Sequence, residues 1–304
     1  MLEELIRFTA DESDEGHTVR DVLQKRYGVS RRLLIRAKFK GRITRNDLLV
    51  FVNEKLHVGD EIVVMVQEDA EETVAPEEMP LEIRYEDDDL MVITKPAGLV
   101  IHPTGNHAGG TLANGVIAYW KSRGEHRRFR AVNRLDKDTS GLLIVAKNQW
   151  AHEQFSRMQQ DRELHRTYHA IAEGEFETDE GTLDGPIGLA EDSFITRQVR
   201  PDGQPALTYY RVLVRGNGMT HLEVKLGTGR THQIRVHMSH LGHPLAGDDL
   251  YGGGRTYIGR QALHAVRLCF AHPRGGELMD FTEPMPADMQ ELASRFFGNE
   301  KSGK

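Results

Sequence analysis

The amino-acid sequence predicts an α+β fold: a large domain with a largely antiparallel mixed sheet flanked by helices and loops, preceded by a small α/β-type module. Three observations lead there. Strand-type alternation recurs along the chain with helical periods between, but without the regular strand–helix alternation of a parallel sheet. The stretch EDAEETVAPEEMP at 68–80 combines acid, two prolines and few large apolar groups, and reads as a solvated linker. The 304 residues suit one large domain and one small module better than a single core. The expected organisation is a module over 1–67, a linker over 68–80 and a main domain over 81–298.

In the module, Val19, Val22 and Leu23, then Leu33, Leu34 and Ile35, predict two short helices; Leu48 to Val52 and Glu61 to Val66 predict strands. After the linker, LEIRYEDDDLMVITKP reads as two strands about an acidic turn. Thr111 is placed to cap a helix whose Leu112, Val116 and Trp120 share a face. The turn DKDTSG leads into a strand, LLIVAK, and Ala151, Phe155 and Met158 mark an amphipathic helix. Tyr168, Ala170 and Ala172 alternate on one strand face, and Leu207 to Val214 and Leu222 to Leu226 continue the sheet. Thr231 is placed to cap a helix carrying Ile234, Met238 and Leu241, with Gly242 as its left-handed stop.

Hydrophobic residues make up 38% of the chain and charged residues 28%, an ordinary balance that supports a packed core and argues against global disorder. No apolar run approaches the roughly 20 residues that span a bilayer, and the acidic start is unlike a signal peptide, so a cytoplasmic protein without a membrane partner is expected. Cys269 is the only cysteine, which rules out an intrachain disulfide and a thiolate zinc cluster. A net charge of -7 argues at first against a nucleic-acid partner. Its distribution reverses that: residues 68–89 hold eleven Asp or Glu against one Arg, which leaves +3 for the rest of the chain. Lys25 to Arg45 carries nine Lys or Arg and no acid. Within it Arg31, Arg32, Arg36, Lys38, Lys40 and Arg42 form the stripe an RNA backbone would select.

Two segments could carry chemistry. In RLDKDTSGLLIVAK, from Arg134 to Lys147, Asp136 and Asp138 lie in a polar turn before a buried-looking strand; this suits either acid chemistry on a rigid sheet or a structural turn. In KLGTGRTHQIRVHMSHLGHPLAGDDLYGG, Arg230 sits in a loop before a helix and Arg235 on that helix away from its apolar face, where an arginine can pair with a carboxylate or grip phosphate. His232, His237, His240 and His243 fit no metal signature and are expected to be hydrogen-bonding histidines. Tyr168 could stack on a base or fill the core. Glycine runs such as Gly252 to Gly254 lack a βαβ setting, so no dinucleotide or other cofactor site is expected.

Taken together, KPAGLVIHP, RLDKDTSGLLIVAK, HRTY, GTGRTHQIRVH, PLAGDDLYGG and LHAVRLCFAHP occur in one order over some two thirds of the chain, and in this the chain resembles the RluA-type pseudouridine synthases. The resemblance implies that Asp136 is the essential carboxylate, that Tyr168 stacks on the target base, that Arg230 pairs with Asp136 and that Arg134 helps to hold RNA with the base flipped out. Asn133 departs from the His that many relatives have before that Arg. Residues 1–67 loosely resemble the αL RNA-binding motif that often precedes this domain.

The implied chemistry breaks the ribose–N1 bond, turns the uracil and rejoins it through C5. It involves no net oxidation and so calls for no cofactor. One carboxylate beside the sugar can attack the anomeric carbon, stabilise charge or take a sugar proton. RNA is the expected partner, large-subunit ribosomal RNA before transfer RNA, with no obligatory protein partner. The rival readings are a non-catalytic RNA-binding assembly protein, a nucleoside or glycoside hydrolase and a metal hydrolase.

Overall fold

A computed structural model describes residues 2–67, 74–105, 108–191 and 193–298. The chain opens on strand β1 (Leu2–Thr9), followed by helix α1 (Val19–Lys25), helix α2 (Arg31–Lys40), strands β2 (Gly41–Arg45) and β3 (Leu48–Leu49), and strand β4 (Glu61–Gln67). Both helices start on capping side chains: Thr18 Oγ1 accepts from the Asp21 amide at 3.1 Å and Ser30 Oγ from the Leu33 amide at 3.0 Å. They bury Val19, Val22, Leu23, Leu33, Leu34 and Ala37 against a four-stranded sheet of order β1-β4-β2-β3. Two of these strands were not anticipated. The alternation of β1 is broken by a register shift between Glu4 and Ile6, and β2 is only GRITR. The expected strand Leu48 to Val52 is reduced to β3, whose two leucines face solvent.

The main sheet begins with β5 (Glu82–Glu86) and β6 (Leu90–Lys95), then helix α3 (Leu112–Ser122), β7 (Ser140–Ala146), helix α4 (Gln149–Gln160) and β8 (His165–Glu173). Next come β9 (Glu180–Asp184), β10 (Ile187–Leu189), β11 (Arg197–Val199), β12 (Leu207–Gly216), β13 (Met219–Leu226) and helix α5 (Gln233–His240). A short 3-10 turn at Asp249–Tyr251, β14 (Leu263–Ala271), β15 (Leu278–Thr282) and helix α6 (Ala287–Phe297) complete the described residues. The nine-stranded sheet runs β5-β6-β7-β14-β8-β13-β12-β9 with β15 added to β14, and β10 and β11 form a separate ribbon. All described pairings are antiparallel except β7 with β14, so the class is α+β with a largely antiparallel mixed sheet.

The parallel contact supports the turn that carries Asp136. His264 and Ala265 lie opposite Ser140 and Gly141, where the strand after the Asp136 turn enters the sheet. Gly141 has φ +111°, and a Cβ there would stand 2.3 Å from the Ala265 carbonyl oxygen, so any side chain would drive the two strands apart.

The packing joins what the sequence separates. One core cluster runs from Leu5, Val22 and Leu33 of the first 67 residues into Leu90, Leu142, Trp150 and Phe155 of the rest. Trp150 Nε1 donates to the Tyr27 carbonyl at 2.7 Å, and Arg274 Nη2 to the Leu5 carbonyl at 2.9 Å. The expected solvated linker also differs where it is described. Val74 is buried, Asn114 Nδ2 donates to the Ala75 carbonyl at 2.7 Å, and Met79 packs over Gly115 of α3. Residues 68–73 of that segment lie outside the described residues.

Candidate active site

Asp136 lies in the turn that leads from the segment after α3 into β7, and the shape of that turn is fixed by groups behind it. The Thr139 amide donates to the Asp136 carbonyl at 3.1 Å, closing the turn. Asn133 stitches the turn to β7: its Oδ1 accepts from the Ile144 amide at 2.9 Å and its Nδ2 donates to the Leu142 carbonyl at 3.4 Å. Lys95, with no exposed surface, donates Nζ to the carbonyls of Pro96, Leu99 and Lys137 at 2.8–2.9 Å. Burial pushes Lys95 down to about 7, while the Asp138 and Asp136 carboxylates favour its charged form. Arg260 braces the far side, forking onto Asp288 of α6 and donating Nη1 to the Asp138 carbonyl at 3.0 Å. The carboxylate of Asp136 is thereby held on a rigid support, with 24% of its side chain still exposed.

Its partner is Arg235, not the expected Arg230. Arg235 Nη1 donates to Asp136 Oδ2 at 3.0 Å, while Nε and Nη2 fork onto Asp248 at 2.7 Å each. Asp248 is buried, and the Tyr251 ring lies 4.9 Å from the guanidinium carbon. The reason is helical phase. Arg235 is inside α5, buried and turned towards Asp136 and Asp248, whereas Arg230 precedes the helix, is exposed and spends Nε on the Pro205 carbonyl at 3.0 Å. The helix also starts later than Thr231 would have it. His232 occupies the cap position in the left-handed region, φ +57°, and the Gln233 side chain closes the loop by accepting from the Arg230 amide at 2.9 Å. Gly242 stops the helix as expected, with φ +87°.

Asp136 opens onto a cleft of about 750 Å³, within the span of ordinary ligand sites. Arg134, Arg162, Arg166 and Arg230 line it, and Tyr168 forms part of its wall. Arg134 is exposed and donates Nη2 to Thr231 Oγ1 at 3.3 Å. Tyr168 is mostly core, 4% exposed, and burial pushes its phenol up. Sequence reading does not single out Arg162 or Arg166: Arg162 lies in a turn, and Arg166 belongs to the HRTY segment at the start of β8, two residues before Tyr168.

Of the basic stripe on the first helices, Arg31, Arg32, Lys38, Lys40 and Arg42 are exposed. Arg36 is not available in the same way, because it donates to Gln149 Oε1 and to the Gln67 carbonyl at 2.6 Å each, tying α2 to α4. Three of the four histidines of the second motif, His232, His237 and His243, serve as hydrogen-bonding groups. His237 bonds Thr208 Oγ1 and the Gly185 carbonyl, His243 the Glu173 carbonyl, and His232 the Tyr251 hydroxyl. No helix among the described residues is long and apolar enough to cross a membrane.

Comparison with known proteins shows what the whole chain is similar to. A family model described as RNA pseudouridylate synthase matches residues 89–240. The uncharacterized RNA pseudouridine synthase YjbO of Bacillus subtilis is 45% identical over 267 residues, 87% of this chain and 94% of that protein. The ribosomal large subunit pseudouridine synthase D of Pasteurella multocida is 40% identical over 280 residues, covering 84% and 85%. The structure of human RNA pseudouridylate synthase domain containing 1 superposes with a TM-score of 0.56 at 29% identity, covering 67% of this chain and 83% of that one.

Proposed function

We propose the target and the chemistry of this chain from one premise: it belongs to the RNA pseudouridylate synthase family, and is therefore an isomerase that converts uridine in RNA to pseudouridine. The substrate in our reading is large-subunit ribosomal RNA. Relatives named as ribosomal large subunit pseudouridine synthase D, 40–41% identical over most of the chain, favour it.

The observation that carries the mechanism is Asp136 held by Arg235 at the base of an arginine-lined cleft. Cleaving the glycosidic bond develops positive charge on the ribose, and an ionised carboxylate beside C1′ stabilises that charge or attacks it directly. Arg235, donating to Oδ2 at 3.0 Å, fixes the direction in which that carboxylate points. The reacting uridine must leave its stack to present both sugar and base, at a cost of a few kcal/mol. In our reading the edge of Tyr168 supports the extruded base, Arg134 fills or braces the vacated site, and Arg230, Arg162 and Arg166 grip phosphates. Residues 1–67 act as an RNA-binding module through Arg31, Arg32, Lys38, Lys40 and Arg42, adding affinity that is independent of sequence.

Mapping pseudouridines in ribosomal and transfer RNA from cells with and without the enzyme tests the target. Sites missing from large-subunit ribosomal RNA are expected. Sites missing from transfer RNA alone would overturn this assignment and leave the chemistry standing.

A further inference from the structure

Isomerisation leaves one proton to be removed. When the turned uracil is joined to C1′ through C5, that carbon still carries its hydrogen, and the ring regains its conjugation only when the proton departs. Asp136 is engaged at the sugar, so a second base is required.

A recess shares Asp136, Tyr168, Arg134 and Arg230 with the main cleft and adds His232 to its wall. A guanidinium has donors and no acceptor, and Tyr168, pushed up by burial, keeps its proton near neutrality. The remaining walls are aliphatic, amide or hydroxyl. Among the described residues lining the recess, Asp136 and His232 are thus the groups able to accept a proton. His232 Nε2 stands 3.9 Å from Asp136 Oδ2, the same carboxylate oxygen that accepts from Arg235. Its Nδ1 is 2.7 Å from the Tyr251 hydroxyl, which in turn accepts from the Arg197 amide at 2.9 Å. The imidazole is therefore fixed at one nitrogen and turned towards the reaction centre by the other. Its left-handed backbone, φ +57°, is a conformation tolerated by His better than by most side chains and concentrated at functional sites.

We infer that His232 is a second catalytic residue, whose Nε2 takes the C5 proton from the rejoined base. The inference rests on the pseudouridine synthase reading and deepens it. The C5–H bond breaks and its electron pair forms C5=C6; the former C6=N1 pair takes a proton from water at N1. The imidazolium then returns its proton to water, so the reaction stays an isomerisation. The role assigned to Nε2 requires the tautomer in which Nδ1–H donates to the Tyr251 oxygen at 2.7 Å, which leaves the Nε2 lone pair facing the recess. Burial lowers the His232 pKa from its ordinary value, opposed by Asp136 and Asp248 and reinforced by Arg235 and Arg197. A base acts when neutral, so its contribution is complete above its pKa and lost as the pH falls through it.

The test uses the full chain, RNA carrying C5-deuterated uridine, and His232→Asn, since Asn accepts the left-handed backbone but no proton near neutrality. A fall in kcat of about 100-fold or more is expected, with KM for RNA unchanged. The deuterium isotope effect on kcat should rise above the parent's, because proton removal becomes limiting, and the acid-side limb due to His232 should vanish. Tyr251→Phe, which keeps the ring and releases Nδ1, should raise the isotope effect with a smaller loss of kcat, and it carries the test if His232→Asn does not fold. An isotope effect equal to the parent's in the folded variants would overturn the assignment. A parent enzyme that forms no pseudouridine would instead defeat the broader reading.

Discussion

Arg235 donates to Asp136 Oδ2 at 3.0 Å with one arm of its guanidinium and forks onto the buried Asp248 with the rest. The candidate catalytic carboxylate is thus tied to a second, structural ion pair. Removing Arg235 leaves Asp248 buried and uncompensated, so Arg235→Ala should cost about 3–5 kcal/mol in urea unfolding as well as activity. Arg230→Ala touches an exposed side chain and should stay within about 0.5 kcal/mol, with its effect confined to RNA binding and turnover. Equal stability losses for the two variants would contradict this division.

Much of this site was legible in the sequence. The run LLIVAK after a charged turn placed Asp136 at the mouth of a buried strand, which β7 confirms. The phase of α5 turned Arg235 away from Ile234 and Met238, so its capacity to meet a carboxylate was visible. Which carboxylate it meets was not, because that depends on a pairing 99 residues away and on Asp248 behind it. Asn133 is a similar case: its role lies in bonds to the Leu142 carbonyl and the Ile144 amide across a strand crossing. Nor does local pattern reveal that Trp150 donates across to Tyr27, joining the first 67 residues to the main core. β1 escaped notice because a bulge breaks its alternation.

The buried His264 sets an expected pH dependence. Its Nδ1 lies 2.8 Å from Ser140 Oγ beside the Asp136 turn, and burial pushes its pKa down to about 4, with the bond to the Glu283 carbonyl opposing. In the unfolded chain a histidine binds its proton near pH 6.5. As pH falls from about 6.5 to 4 the unfolded state takes up a proton that the native state refuses, so stability declines over that window. The full difference is on the order of 3 kcal/mol from 1.36 kcal/mol per unit. Urea midpoints measured between pH 7 and 4 should fall less steeply for His264→Gln; parallel curves would contradict the assignment.

Neutralising Arg31, Arg32, Lys38, Lys40 and Arg42 together should weaken RNA binding. It should also flatten the salt dependence, by about 0.7 in logarithmic slope for each single-strand phosphate that is no longer paired with a cation. Turnover at saturating RNA should remain. This substitution is preferable to deleting residues 1–67, since truncation would uncover Trp150 and Phe155 in the shared core and unsettle the remaining sheet. An unchanged slope would mean that the stripe is a solvated face.

The most direct measurement compares Asp136→Asn with the parent in tritium release from C5-labelled uridine in RNA, alongside equilibrium RNA binding. Asn keeps the size and one acceptor oxygen for Arg235 but removes the charge that glycosidic cleavage needs. The account predicts no detectable release with RNA affinity close to the parent's, because the cleft arginines and the basic stripe are untouched. Substantial release by a folded Asp136→Asn enzyme would show that another residue carries the reaction.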